Sequence, residues 1–427
     1  MSENEGRTVG LLETTYRSTE LDDAYRPEWS TVPAEYFEAP ETISRMLYLA
    51  WGFLRTLSPE LRAEAEYGLD DPRRFHIDAI PRPDRAGVPL TVLDPHQRAI
   101  AHSLIKSGLS MRGYTQALAI MALENVLRER DATDKLKIGI ATAEFRDPDD
   151  YRLAFFGRPG FEDTWGWHVL GHHFFASYTI IRERYIAVTP NSMGGEPAEI
   201  GILKPVGVEE DLAFDILETM SPALREATVF HDIAPADLVT RWVPRVGKVE
   251  LPDHTDLGMP HYEISDEDRE QLKFERELPA GVSSDRLDPA GRELLHRLID
   301  WYFERFPDEI ADGLKRRLSD DQPQNIFFAW AGAQQRHSPH YYRIQTRGFV
   351  IEFVNSIDSG NHVHGVIREL DYDLGYGLLK QHNTQQIERG HNLNRRLISS
   401  VPADDDDFAA SLRDPALMAY SRPAPTA

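Results

Sequence analysis

The chain contains no cysteine. Disulfides, iron–sulfur clusters, thiolate zinc sites and cysteine nucleophiles are therefore excluded. Any metal must be held by nitrogen and oxygen. Long apolar runs are also missing. The longest purely apolar stretch, Ala117–Leu123, is far shorter than the ~20 residues that span a bilayer. The N-terminal MSENEGRTVG has no apolar signal core. Positive charge is in deficit: 47 basic against 70 acidic residues leave a formal charge of −23. That balance argues against nucleic acid and against an anionic membrane surface, because nothing would neutralise phosphates broadly. It fits a soluble protein, and the expected setting is the cytoplasm. Lysine is scarce, 8 residues against 39 arginines, which suggests a GC-rich bacterial genome and says nothing of mechanism. The sequence has no Walker loop, G-x-S-x-G elbow, G-x-G-x-x-G fingerprint or H-E-x-x-H, so those enzyme classes lose their usual support.

What is present is a chain of 427 residues, 41% apolar, long enough for a sizeable core. Residues 1–40 read as a polar arm, 41–398 as a single domain, and 399–427 as an acidic, proline-containing tail. Helices are predicted over Ala50–Leu57, Asp94–Ser107, Tyr114–Arg130, Leu212–Met220 and Asp288–Phe306. Asp94-Pro95 and Asp288-Pro289 supply start signals. Strands are predicted over Leu136–Ala143, Tyr151–Phe156, Trp165–Ile180, Arg184–Pro190, Asn325–Trp330, His340–Gln345, Phe349–Asn355 and His362–Arg368. A short helix is expected at Tyr376–Gln381. Trp242–Arg286, rich in Pro, Asp and Glu, reads as a peripheral insertion. Trp165–Tyr178 can be laid over His340–Phe353, each an aromatic strand, a glycine-containing turn and an apolar strand. That hints at a distant duplication and puts Gly171-His172-His173 at a hairpin turn. The expected fold class is α+β: a helical N-terminal layer packed on a large, mainly antiparallel sheet, or two related β-meanders.

The chemistry concentrates in histidines. His362 and His364 lie two apart in a strand, so both rings point to one face. Glu352 is an unexpected carboxylate among Val350, Ile351 and Phe353. Buried, such groups cost energy unless partnered. With His172 and His173 they make a ligand set suited to a divalent metal such as Zn, Mn, Fe or Cu. Solvated, hydrogen-bonded histidines are the plainer alternative. Glu124 stands on an apolar helix face, as a buried ion pair or a site carboxylate. Arg343 and Arg368 each need an anion, from the protein or from a substrate. Asp373 and His382 are candidates for moving a proton or orienting a ligand histidine. His362-x-His364 with Glu369 and Gly375 also brushes the cupin pattern, without its glycine spacings.

Read in order, these motifs resemble a bacterial domain-of-unknown-function family, number 3500. The residues that carry the likeness are Arg74-Phe75-His76, Arg85-Ala86-Gly87-Val88, Gly108-Leu109-Ser110, Leu123-Glu124-Asn125, Trp165-Gly166-Trp167, Gly171-His172-His173, Thr189-Pro190, Ala329-Trp330-Ala331-Gly332, Tyr341-Tyr342-Arg343-Ile344, Ile351-Glu352-Phe353, Asn361-His362-Val363-His364 and Asp373-Leu374-Gly375 with His382. His168 stands where that family usually shows arginine. The resemblance implies a shared site around Gly-His-His, Glu and His-x-His, and supplies no reaction.

The expectation is a metal-dependent enzyme of hydrolase or lyase type acting on a small molecule. Its ligands would be His362, His364, Glu352 and one of His172 and His173. Asp373 or His382 would move the proton, and Arg343 or Arg368 would hold an anionic group. An O₂-using iron or copper oxidoreductase and a metal-free binding or interaction protein are the alternatives. A homo-oligomer remains open.

Overall fold

The structure is a computed structural model that describes residues 38–77, 79, 85–133, 146–161, 164–240, 243, 246, 248–249, 265–319 and 321–376. Among these, thirteen strands form one sheet, packed with helices in an α+β fold. Eight long strands make its body: β1 (Arg152–Phe156), β2 (Thr164–Gly171), β3 (Phe174–Ile181), β4 (Asn191–Gly195), β5 (Phe327–Gly332), β6 (His340–Gln345), β7 (Phe349–Ile357) and β8 (His362–Glu369). Their spatial order is β1-β2-β3-β4-β8-β7-β6-β5, and every one of these neighbours is antiparallel. Two four-stranded meanders therefore meet along a central β4–β8 seam, where Gly365 faces Met193.

The helices repeat as the strands do. In the first half, α1 (Pro40–Thr56) and α2 (Pro59–Ala65) precede α3 (Pro95–Ser107) and α4 (Met111–Thr133); in the second, α5 (Gly207–Thr219) and α6 (Pro222–Thr228) precede, beyond the short α7 (Asp266–Leu272), α8 (Pro289–Phe303) and α9 (Asp308–Ser319). Each half has a Ser-Pro-x-Leu-Arg helix start, at Ser58–Arg62 and Ser221–Arg225, with the serine side chain capping the helix. Each has a Gly-Val step, at Gly87-Val88 and Gly281-Val282, where the valine pairs antiparallel with the second residue of its meander, Leu153 or Phe328. Each then reads Leu-Asp-Pro into a helix whose aspartate accepts from an N-terminal backbone N–H. Short parallel strands, Glu66–Tyr67 and Val229–His231, flank Phe155 and Trp330. The order of elements is duplicated within the chain, and its helices come from both halves rather than from an N-terminal layer.

Alternation along the strands sorts the two faces. Trp165, Trp167, Tyr178, Trp330, Tyr342 and Phe353 point to the helices and share the main core with them. The opposite face is covered by irregular chain. Ala234, Leu238, Val239 and Val246 pack with Leu272 and Phe274 on Tyr341, Val350, Val354 and Val366. For residues 265–286, the main described part of Trp242–Arg286, that corrects the reading as peripheral. Leu272 and Phe274 are fully buried, and Arg343 and Gln345 donate to the carbonyls of Leu272, Lys273, Glu275 and Arg276. Its polar composition hid two apolar anchors and a set of backbone acceptors. The expected strand Leu136–Ala143 and helix Tyr376–Gln381, the arm 1–40 and the tail 399–427 lie wholly or almost wholly outside the described residues.

Candidate functional site

The β2–β3 hairpin has its two-residue turn at His172-His173. His173 adopts a left-handed backbone, φ 60°, uncommon for a residue with a Cβ. Its N–H donates to Ala79 O and its own carbonyl accepts from Gly194. Tyr151 fixes His172 by donating to its carbonyl at 2.7 Å. From the second half, β8 begins at His362 and carries His364 on the same face. Gly194 of β4 lies directly across from His364. A Cβ on Gly194 would stand 2.9 Å from His364 Cδ2 and 2.4 Å from Val363 O, so only glycine lets this ring lie against the seam.

The expected convergence of the histidines is found. His173 Nε2 lies 2.8 Å from His362 Nε2. The rings of His173, His362 and His364 form a near-equilateral triangle, with centroids 4.8, 5.0 and 4.9 Å apart. His172 stacks on His173 at 3.6 Å. Three of these four imidazoles face a carboxylate at Nδ1. His172 meets Glu124 Oε1 at 2.5 Å, His364 meets Asp237 Oδ1 at 2.9 Å, and His362 faces Glu196 Oε2 at 3.5 Å.

Among the described residues, three groups bring potential ligand atoms together: His173/His362/His364, Glu124/His172/His173 and Glu196/Asp358/His362. Arginines already sit on the last two. Arg146 Nη1 is 2.9 Å from His172 Nδ1 and 3.9 Å from Glu124, and it is held there by Asp131 at 2.8 Å. Arg130 pairs with Glu196 and lies 3.9 Å from Asp358. A second cation beside a guanidinium is disfavoured. The three-imidazole group is the one neither arginine contacts at hydrogen-bond distance, although Arg146 still bears on His173 through space.

Burial sets the protonation. The Glu124 carboxyl is pushed up to about 8 by desolvation, against the pull of Arg146 and Arg85. Burial, with Arg146 next, drives His172 well below its ordinary value, and burial with the neighbouring histidines does the same for His173. Both shifts favour the neutral forms of Glu124 and His172 over a charged pair. Neutral imidazoles present lone pairs without first losing a proton.

Other expected site residues lie elsewhere. Glu352 shares the face of His364, but its oxygens are engaged by protein donors: Oε1 by Val239 N at 3.0 Å and Tyr341 OH at 2.6 Å, Oε2 by Thr240 N at 3.0 Å and by the Thr240 hydroxyl. It belongs to none of the three ligand groups. Arg343 donates to Tyr341 OH and two carbonyls, and Arg368 to Asp373 Oδ2 at 2.6 Å and to Thr240 O. The protein meets these arginines itself, which corrects their reading as substrate clamps. Asp373 is tied to Arg368 and to the Glu369 N–H, so it is a structural carboxylate rather than a free base. His382 lies outside the described residues. His168 is buried between the rings of Phe156 and Phe175, apart from the cluster. Arg146, Glu196 and Asp237 escaped sequence reading because they sit in loops with no periodic signal.

Residues 39–376 match the family described as "Protein of unknown function (DUF3500)". The chain belongs to this family. No curated protein and no solved structure matches it. Among the described residues, no helix is long and apolar enough to cross a membrane.

Proposed function

We propose that the protein is a metal-dependent enzyme whose divalent cation is held by His173, His362 and His364, with hydrolase or lyase chemistry on a small molecule. The triangle of imidazoles carries this reading. Tetrahedral binding through three nitrogens at about 2.0–2.1 Å needs N···N separations of roughly 3.3–3.4 Å, and the His173–His362 pair at 2.8 Å has only to open by a fraction of an ångström. Carboxylates behind His362 and His364 supply the usual outer partners of ligand histidines, fixing tautomer and raising basicity. Three protein ligands leave a position for water or substrate, and a cation there supplies Lewis acidity and an acidified water.

Glu124 takes the role of proton carrier in place of Asp373 or His382. Its carboxyl, shifted up to about 8, holds a proton near neutral pH, as a general acid must. Arg146, 2.9 Å from His172, places positive charge where a substrate oxyanion gains it.

Elemental analysis of purified protein, before and after incubation with Zn, Mn, Fe(II) and Cu, tests the reading. About one ion per chain is expected, lost in His364→Ala and His173→Ala variants that remain folded. Protein that takes up none of the four metals would overturn it in favour of a metal-free histidine network. Iron or copper with a visible absorbance would move the chemistry to O₂-using oxidation.

A further inference from the structure

Resting on the metal reading above, we infer that Glu352 is a positioning residue for that site: it acts through the strap 237–240, which it pins to the sheet so that Asp237 meets His364. The register places three polar groups on one face of the β7–β8 pair: His364 opposite Val354, Glu352 opposite Val366, and Arg368 opposite Val350. Along this row lies Asp237-Leu238-Val239-Thr240, buried throughout. Glu352 grips it through the consecutive backbone N–H groups of Val239 and Thr240, both at 3.0 Å, and through the Thr240 hydroxyl. Arg368 takes the Thr240 carbonyl from the other side. Tyr341 OH completes the carboxylate at 2.6 Å and is itself oriented by Arg343 Nε at 2.7 Å.

At the far end of the strap, Asp237 Oδ1 meets His364 Nδ1 at 2.9 Å and accepts from the Leu238 N–H at 2.6 Å. Asp237 is therefore aimed by the backbone that Glu352 holds. A neutral His364 with Nδ1–H directed at this carboxylate keeps Nε2 unprotonated, the nitrogen left to serve as a ligand. Replacing Glu352 by Gln turns one acceptor into an N–H₂ that confronts a strap donor. The strap must then shift, and the tautomer of His364 is released. No atom of Glu352 need touch the cation for this to matter.

The test is made on the full chain labelled with ¹⁵N-histidine and freed of metal. His364 side-chain nitrogens are assigned by their loss in His364→Gln. Wild type is expected to show His364 as a single Nδ1–H tautomer. Glu352→Gln and Asp237→Asn are each expected to give a mixture, and the double variant to look like Asp237→Asn alone. Tyr341→Phe removes one donor and keeps the ring, so it gives a smaller shift in the same direction if Glu352→Gln does not fold. Zn²⁺ titration against a competing chelator then reads affinity, with a loss of roughly 10–100-fold expected for either single variant and no further loss in the double. An unchanged His364 tautomer in folded Glu352→Gln or, if that variant does not fold, in Tyr341→Phe, or affinity losses that add, would overturn the inference. Wild-type protein that binds no Zn²⁺ or other metal while its His364 tautomer still answers to Glu352 would sink the metal reading alone.

Discussion

Replacing His168 by Phe should make the protein markedly less sensitive to acid. His168 is 1% exposed and packed between Phe156 and Phe175, and burial, with His76 and Arg74 adding to it, lowers its pKa to about 3. In the unfolded chain the same imidazole titrates near 6.5. Below that value the unfolded state takes up a proton that the folded state refuses, so stability falls as pH falls, and it goes on falling until about pH 3. Each pH unit in this window costs about 1.4 kcal/mol. Between pH 8 and about pH 5 the loss from this one residue is about 2 kcal/mol, with a ceiling near 5 kcal/mol at the acid end. Phenylalanine has no proton to refuse and suits the aromatic surroundings. The assay is urea unfolding of both proteins at the two pH values. The wild type should lose about 2 kcal/mol more than the variant over that interval, since the other histidines titrate in both and cancel. Equal losses would show that His168 is not held neutral in the folded state.

Three further outcomes follow from the same physical reasoning. Arg305→Met should destabilise by about 3–5 kcal/mol, because it strands Glu209, its fully buried partner at 2.9 Å; unfolding midpoints within error of wild type would contradict this. Gly194→Ala should weaken or abolish metal uptake with a smaller effect on folding, since its Cβ would press on the ring of His364 and the carbonyl of Val363; unchanged metal content would refute the close packing at the seam. Phe274→Ala should cost about 3–5 kcal/mol, since the ring is fully buried in the second core; a loss under ~1 kcal/mol would restore the reading of that region as peripheral.

The alternation of the strands and the capped helix starts made the fold class legible. Asp94-Pro95 and Asp288-Pro289 open helices where the sequence puts them, and the Trp165/His340 alignment anticipated the paired meanders. Convergence of His172-His173 with His362-x-His364 was legible too, because buried imidazoles call for company. Glu352 misled for the same reason. A carboxylate among apolar neighbours announces that it has partners, and sequence does not say whether those are a cation or four N–H and O–H donors. Asp237, Glu196 and Arg146 were invisible, since loop residues reach a site only through long-range packing that leaves no local pattern.

The duplication has a consequence for how the protein is made. One histidine pair lies in each half, and the rings meet across the β4–β8 seam, so no nascent fragment ending before β8 holds the three-imidazole group. Contacts that span so much chain form late. Any cation at these rings arrives after synthesis of both halves, and then acts as a clasp, favouring the joined state over every partly assembled one in proportion to its occupancy.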